Sequence, residues 1–251
     1  MYCNCDGPES EIYKWLKKRY SELKLKSLYA TKLVRGGRGV KTTFDGEQEV
    51  VSELVGDGDC FSDECKKLLD ECDVVCTNPP FSHLDDIIPM FFEHNKDFAI
   101  IANMMCVMHK PIAKYTLSGR INGLYPIVSP NHKSGNAWPF LDSTGKLAYV
   151  WCAGLTTLVP LPTHRKLPSL TTAELAKKKR LHYEDTTEEM VVDYVRNIPT
   201  DLEGSCLVPM TACLIPEIKE KYEILGLAKS CVVDGKARFY RVRIMKKENK
   251  R

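Results

Sequence analysis

The segment CTNPPFSHLDD, residues 76–86, places an amide and two prolines directly after a short apolar run. An amino nitrogen on a planar ring is a poor nucleophile because its lone pair is delocalised into the ring, and an enzyme can assist it by accepting its hydrogens. The Asn78 side-chain carbonyl and the Pro79 main-chain carbonyl are two such acceptors, which Pro79 and Pro80 stiffen without adding competing N–H groups. Phe81 offers a flat face on which a base turned out of a helix can stack. We interpret this segment as a catalytic turn, although its composition also suits a plain strand-ending turn.

A second group of candidates follows the strand-like segment MYCNC at the start of the chain. Cys5, Asp6, Pro8 and Glu9 stand there, and in an open α/β sheet a nucleotide-type cofactor binds beyond the carboxyl ends of the strands. Acidic side chains at this place repel phosphate, which disfavours a dinucleotide or ATP, and suit a ligand with an ammonium group. Pro8 also fits the first turn of a helix that we predict to run to about Leu23.

A third candidate turn, VGDGDCF, spans residues 55–61. Asp59 stands where a strand-like segment gives way to a helical one, so its carboxylate can accept a hydrogen bond from an adenine amino group. Phe61 can pack against the ring, and Cys60 lies between the two. A simple acidic turn that caps the next helix fits the same residues, and both interpretations remain open.

Other polar clusters give no comparable site. The run Arg35–Gly39 matches neither GxGxxG nor GxxxxGK[ST], and we interpret it as a mobile basic loop. The six histidines form no HxH or HExxH pattern and the eleven cysteines no CxxC pair, so no metal site is expected. An odd number of scattered cysteines indicates reduced thiols rather than a disulfide framework.

Alternating strands and helices must position these turns. The apolar runs predict strands at LKSLYATKLV, DVVCT and DFAIIANMM, a hairpin closed at Asp45–Gly46, and helices at FSDECKKLLDEC, SHLDDIIPMFFEHN and KPIAKYTLSG. Pro89 is expected to bend or end the second of these helices. Strands separated by helices of this length imply a largely parallel, three-layer α/β sheet.

The composition changes after about residue 119, where loops and strands dominate. TTAELAKKKRLHYEDTTEEMVVDYV is helix-prone at least in part, and YEILGLAKSCVVDGKARFYRVRIM predicts strands joined at Asp234–Gly235. Residues 1–160 hold 18 Lys+Arg against 20 Asp+Glu, whereas residues 161–251 hold 18 against 13. The basic end suits a nucleic-acid partner through phosphate neutralisation, and it equally suits a solvated tail.

The chain as a whole is typical of a globular protein. Its 251 residues are 43% hydrophobic, enough for one substantial core or for a main domain with a smaller one. No run of 18 apolar residues occurs, and the first twenty residues lack the order of a signal peptide. We therefore expect a soluble protein without a membrane partner that stays where it is made.

Taken together, these segments resemble the EcoRI-type adenine-specific DNA methyltransferase family, whose members use S-adenosylmethionine. The resemblance covers nearly the whole chain, at MYCNCDGPES, GDGDCFSDECKKLLDECDVVCTNPPFS, DFAIIANMM, VWCAGLTTL and RNIPTDLEGSCLVPMTACLIPEIKEKYEILGLA. It implies a Rossmann-like class I methyltransferase three-layer sandwich. The catalytic domain would span residues 1–160, and residues 161–251 would form an irregular, strand-rich, basic region that recognises DNA and completes the sheet.

The resemblance also implies the chemistry, a direct in-line transfer of a methyl group from S-adenosylmethionine to the exocyclic nitrogen of an adenine flipped out of double-stranded DNA. Asn78, Pro79 and Phe81, with Pro80, would hold and polarise the target base. The residues expected at the cofactor are Asp6 and Glu9 with Cys5 and Pro8 on the methionine side, and Asp59, Cys60 and Phe61 on the adenine side.

Alternatives to this function remain at the level of sequence. Methylation of RNA or of a protein glutamine needs the same hydrogen acceptors, and Phe81 favours a nucleobase over glutamine. Family members carry a further N-terminal stretch with an aromatic motif for the methionine end, whereas this chain begins inside the first strand, so a catalytically silent DNA-binding relative is a third alternative.

The expected location is the cytoplasm of a bacterium, or of a host cell if a phage encodes the chain. The sequence predicts no oligomeric state.

Overall fold

The computed structural model describes residues 1–126, 137–141, 144–158, 167–228, 231–238 and 241–247. They belong to two compact units. The first consists of Met1–Ile112 with Leu124–Leu158, and the second of Ala113–Gly123 with Val159–Arg251. All three candidate turns lie in the first unit.

The first unit is built around one sheet. Its strands are β1 (Tyr2–Cys3), β2 (Leu28–Lys32), β3 (Val40–Phe44), β4 (Glu49–Glu53), β5 (Val74–Thr77), β6 (Asp97–Asn103), β7 (Gly123–Pro126), β8 (Ala137–Leu141) and β9 (Leu147–Thr156). Its helices are α1 (Glu11–Lys18), α2 (Asp63–Asp70) and α3 (Leu84–Glu93), and α4 (Lys110–Leu117) spans the boundary between the units.

Four parallel strands form the centre of this sheet, in the order β2-β1-β5-β6. Tyr2, Val75 and Phe98 from three of these strands are fully buried, and burial of such side chains is the main force that holds a sheet to its neighbours. The chain passes from β1 through α1 to β2 on one side and later crosses back to β5 on the other. This reversal places the ends of β1 and β5 side by side.

The sheet is mixed, so the prediction of a largely parallel sheet holds only for its four central strands. β3 and β4 extend one edge in antiparallel pairing, and β9 pairs antiparallel with β6 on the other side. The connections from β2 to β3 and from β3 to β4 are too short for the crossover that parallel pairing needs. The predicted hairpin at Asp45–Gly46 is confirmed, and the Asp45 carboxylate accepts hydrogen bonds from the N–H groups of Glu47 and Gln48 at 2.9 and 2.8 Å.

The helices differ from the sequence prediction at their ends. The Ser10 side chain accepts a hydrogen bond from the Tyr13 N–H and caps α1, so Pro8 lies in the turn before the helix rather than in its first turn. α1 ends at Lys18, short of the predicted Leu23. α3 continues through Pro89, because its many buried apolar side chains stabilise the helix more than one missing hydrogen bond destabilises it.

The second unit contains a five-stranded sheet in the order β10-β11-β12-β16-β13 and a two-stranded β14-β15 pair. The bounds are β10 (His182–Tyr183), β11 (Met190–Val191), β12 (Ser205–Pro209), β13 (Tyr222–Leu227), β14 (Val232–Val233), β15 (Lys236–Ala237), β16 (Arg241–Lys246), α5 (Thr172–Lys177) and α6 (Pro216–Lys221).

Two sequence predictions concern this unit. The turn at Asp234–Gly235 is confirmed, since both residues have positive φ angles of 51° and 69° and join β14 to β15. The helix-prone segment at residues 171–195 is α-helical only in α5, and the strands β10 and β11 follow it. Pairing of β11 with β12 overrides the local helix propensity there.

Candidate active site

The carboxyl ends of β1 and β5 are neighbours at one edge of the first unit's sheet. Tyr2 of β1 pairs in parallel register with Val75 of β5, and the direction of strand succession reverses between these two strands. Open α/β sheets bind ligands at such a reversal, because the segments leaving the two strands diverge and open a crevice. The turns after β1 and β5 therefore face one site.

A cleft of about 320 Å³ lies at this edge. Its volume is at the lower end of the range for small-molecule sites, about 300–1,000 Å³. The lining residues are Asn4 and Cys5 after β1, Leu33 and Arg35 after β2, Gly58–Phe61 before α2, and Pro80, Ser82 and His83 after β5. The structure thus brings segments that are far apart in sequence to one cleft.

The turn after β5 is fixed to the turn after β1. Asp6 Oδ2 accepts a hydrogen bond from the Asn78 N–H at 2.7 Å and another from the Thr77 hydroxyl. The Thr77 hydroxyl oxygen in turn accepts a hydrogen bond from the Cys5 N–H at 3.2 Å. Because hydrogen bonds to a charged acceptor are the stronger ones, Asp6 holds the main chain at the start of the Asn-Pro-Pro-Phe turn.

The turn presents the Asn78 side chain outward. Asn78 and Pro80 are exposed, Pro79 is buried and Phe81 is half-buried. Pro80 keeps an extended backbone, and the Phe81–His83 turn that follows is closed by a hydrogen bond from the His83 N–H to the Pro80 carbonyl at 3.0 Å. Within the described residues the Asn78 side chain has no hydrogen-bond partner, so its carbonyl is available to a substrate.

The turn before α2 uses its acidic residues to fix its own backbone. Asp59 Oδ1 accepts a hydrogen bond from the Phe61 N–H at 2.9 Å, and Asp57 Oδ1 accepts one from the Asp59 N–H at 3.0 Å. The cap of α2 is Ser62, whose Oγ accepts from the Cys65 N–H. Asp59 therefore shapes the turn and lines the cleft, and it does not cap the helix.

Aromatic and sulfur groups complete this wall of the cleft. The Phe61 ring packs edge-on against the His83 ring, with centroids 6.1 Å apart. The Cys60 thiol, together with burial, raises the pKa of the Cys5 thiol well above its ordinary value, and the Cys5 thiol lowers the pKa of Cys60. The two thiols therefore neighbour each other in the cleft.

The other predicted residues of the first turn lie apart from the cleft. Asp6, Pro8 and Glu9 are not among its lining residues. Glu9 forms an ion pair with Lys32 at the end of β2, and the hydrogen bond from Lys32 is the main cause that lowers the Glu9 pKa. The Glu9 carboxylate is therefore already paired with a cation of the protein, Lys32.

Sequence reasoning missed several lining residues. Asn4 is only 2% exposed, and its Oδ1 atom is buried without a hydrogen-bond partner in the described structure. Arg35 and Leu33 enter from the segment after β2, and His83 from the turn after Phe81. A lone polar residue in the apolar segment MYCNC was the signal for Asn4. Nothing local distinguishes Arg35 from any exposed arginine.

Two kinds of feature are missing from the residues that the structure describes. No cluster of three or more His, Cys, Asp or Glu side chains there could hold a metal ion. Nor does any described helix have the length and apolar character needed to cross a membrane.

The mixed α/β sheet, its crevice and the outward-facing Asn-Pro-Pro-Phe turn are consistent with a methyltransferase that acts on a planar amino group. Residues 37–251 match the family model described as "Adenine-specific methyltransferase EcoRI", and the chain belongs to this family. It is thus a site-specific, adenine-specific DNA methyltransferase.

Curated relatives agree over nearly the whole chain. The type II methyltransferase M.MgeORF184P of Mycoplasma genitalium is 28% identical over 99% of this chain and 88% of its own length. M.EcoRI of Escherichia coli is 28% identical over 98% of this chain and 86% of its own length. M.MpnI of Mycoplasma pneumoniae is 26% identical over 99% of this chain and 88% of its own length. No solved structure gave a significant match.

Proposed function

We propose that the chain methylates the exocyclic amino group of an adenine turned out of duplex DNA, on a Rossmann-like class I three-layer domain, with S-adenosylmethionine as the cofactor. When bound, that cofactor supplies an electrophilic methyl group. The Asn78 side-chain carbonyl and the Pro79 main-chain carbonyl would accept hydrogen bonds from the two N–H bonds of the amino group, which weakens the delocalisation of the nitrogen lone pair into the ring and leaves it free to attack the methyl group. Phe81 stacks on the extruded base.

The anchoring of the catalytic turn is the observation that carries this proposal. Asp6 fixes the Asn78 main chain at 2.7 Å while the Asn78 side chain stays exposed and unpaired within the described residues. Because this acceptor is held in place and has no partner of its own there, it suits a hydrogen bond from the substrate amino group, which is present only in the complex with DNA. Preorganised acceptors of this kind stabilise the transition state because they need no rearrangement during the reaction.

The cleft fits the cofactor that we propose. Its position beyond β1 and its volume of about 320 Å³ suit a nucleoside-sized ligand. Among the described residues the buried Asn4 Oδ1 has no hydrogen-bond partner, a situation that costs about 1–3 kcal/mol and that a ligand donor would relieve. Cys5, Asp59, Cys60 and Phe61 would hold the cofactor, with Pro8 and Glu9 toward its methionine side.

The DNA partner would be bound by both regions of the chain. We assign catalysis to residues 1–160, and recognition of duplex DNA to residues 161–251, whose 18 Lys+Arg exceed 13 Asp+Glu. The description "adenine-specific" of the family favours this substrate over a protein glutamine. All eleven cysteines are free thiols, which supports a reducing compartment such as the cytoplasm.

Replacement of Asn78 by Ala tests the proposal directly. Asn78→Ala should lower methyl transfer to unmethylated plasmid DNA by about a hundredfold or more, because one preorganised acceptor is lost. DNA binding, measured by fluorescence anisotropy, should stay within about threefold of wild type, since only one exposed neutral group changes.

A matched control is Asn95→Gly. Asn95 is exposed, has a φ of 53°, and precedes β6 at the opposite edge of the sheet. Glycine tolerates that φ, so this variant should transfer methyl groups like wild type. Undiminished transfer by Asn78→Ala would sink the assignment of the catalytic turn.

A further inference from the structure

Arg35 is the one cationic side chain that lines the cleft within the described residues, apart from the titratable His83. It stands in the loop between β2 and β3, and it forms no hydrogen bond or ion pair with any other described residue. Arg38 lies in the same loop, but its side chain has partners within the protein. Its guanidinium donates to the Leu54 carbonyl at 2.8 Å and pairs with Glu53 at 3.1 Å.

The loop that carries Arg35 is tied to the turn that carries Asp59. The Val34 N–H donates to the Asp57 carbonyl at 2.8 Å, and the Gly39 N–H donates to the Gly56 carbonyl at 2.8 Å. Gly58 lies so close to β2 that an added Cβ would stand 2.5 Å from the Lys32 carbonyl oxygen. Arg35 and Asp59 therefore belong to one wall of the cleft, and their backbones are held together.

The chemistry of this wall fits the adenosyl end of the cofactor. A guanidinium only donates hydrogen bonds and a carboxylate only accepts them. The same pair of charges would also match the carboxylate and ammonium of the methionine end, so the choice between the two ends depends on the Phe61 ring and on the order of the strands. An adenosyl group is neutral and offers both kinds of partner, namely an amino donor on the base and acceptors on the ring and the ribose. The flat Phe61 ring on the same wall suits the base as well.

The sheet order supports the same assignment. The reacting methyl group must lie at the turn after β5, where Asn78 stands, and β1 separates β5 from β2. The segment after β2 is therefore reached by a part of the cofactor that extends away from the reacting centre. Together with the mixed donor and acceptor wall, this position points to the adenosyl arm.

We propose that Arg35 binds the adenosyl group of the cofactor, donating hydrogen bonds to its acceptor atoms while Asp59 accepts from its amino group. This inference rests on the proposed function, because it takes S-adenosylmethionine as the ligand of the cleft. Arg35 is a binding and positioning residue, and it takes no part in the transfer itself.

Calorimetric titration of the full chain with S-adenosylmethionine and with 5′-methylthioadenosine, which keeps the adenosyl group and lacks the amino-acid end, tests the inference. Because Arg35 acts on the shared adenosyl group, Arg35→Ala should weaken the binding of both ligands by about tenfold or more and by a similar factor. Arg35→Lys keeps the charge but loses the planar guanidinium with its paired donors, so the affinity of this variant should lie between those of wild type and Arg35→Ala. Arg38→Ala is the matched control and should bind both ligands within about twofold of wild type, since its partners lie outside the cleft.

Each contrary result has a distinct meaning. Wild-type affinity of Arg35→Ala for 5′-methylthioadenosine overturns the inference, even if its affinity for S-adenosylmethionine falls. An equal loss in Arg38→Ala also overturns it, because that would show a general effect of the loop. Loss of duplex DNA binding in Arg35→Ala at unchanged cofactor affinity would make Arg35 a phosphate contact instead. If the wild-type chain itself binds neither ligand at millimolar concentration, the proposed cofactor fails and the inference falls with it.

Discussion

Asp6 offers the sharpest test of how the site is held together. Its Oδ2 atom accepts two hydrogen bonds from the start of the catalytic turn, from the Thr77 hydroxyl and from the Asn78 N–H. Hydrogen bonds to a charged group contribute about 1.5–3 kcal/mol each. Asn78 is exposed, so water can replace part of the loss, and the lower end of this range applies. Asp6→Ala should therefore remove about 3 kcal/mol of restraint on the turn.

The effect should be seen in turnover rather than in cofactor affinity. A loss of about 3 kcal/mol corresponds to about a hundredfold in rate if the turn is needed in place only at the transition state. A shift of the acceptors by about 1 Å has a similar effect. We expect kcat to fall about a hundredfold in Asp6→Ala, while the Kd for S-adenosylmethionine changes by less than about threefold.

The assay is single-turnover transfer of a labelled methyl group to unmethylated plasmid DNA, with calorimetry for the cofactor. Thr77→Val removes one of the two hydrogen bonds to Asp6 and should give an intermediate loss, whereas Thr77→Ser keeps the hydroxyl and should act like wild type. Wild-type kcat combined with a tenfold or greater loss of cofactor affinity in Asp6→Ala would refute the anchoring role. That result would favour the predicted contact of Asp6 with the methionine end.

Two further predictions concern stability. Gly58 has a φ of +85° and no room for a Cβ beside the end of β2, so Gly58→Ala should lower the free energy of unfolding by about 1–3 kcal/mol or more. Gly36→Ala, at a φ of +73° in open space, should be milder, and equal losses in chemical denaturation would contradict the steric argument. In the second unit, hydrogen bonds from Thr186 and Thr187 lower the pKa of Glu184 to about 2. Because the folded pKa lies below the unfolded one, this stabilisation is present above about pH 4.5 and is lost as the pH falls toward 2. Circular dichroism across this interval should show wild-type stability falling more steeply than that of Glu184→Gln, and parallel curves would exclude the effect.

Local features of the chain were predictable wherever the chemistry itself is local. The hairpin at Asp45–Gly46 and the turn at Asp234–Gly235 follow from residues that tolerate positive φ angles between apolar runs. The Asn-Pro-Pro-Phe turn was also visible from local residues, for a different reason. Two prolines and an amide after a buried strand restrict the backbone wherever they stand.

Prediction failed where pairing or packing over a distance decides the outcome. The sheet is mixed in part because β9 pairs antiparallel with β6, a strand more than 40 positions earlier in the chain. α3 passes through Pro89 because the apolar side chains around it are buried. Neither burial nor pairing partner can be taken from a single segment of sequence.

The sequence by itself singled out the Asn-Pro-Pro-Phe turn and the family resemblance that the family match confirms. Only the tertiary structure decided which residues anchor that turn and which line the cleft beside it. Asp6 meets Asn78 across 72 positions of the chain, and Arg35 reaches the cleft only because β2 lies beside β1. The physical reason is that strand order and register, which short-range propensities do not encode, set which strand ends share an edge of the sheet.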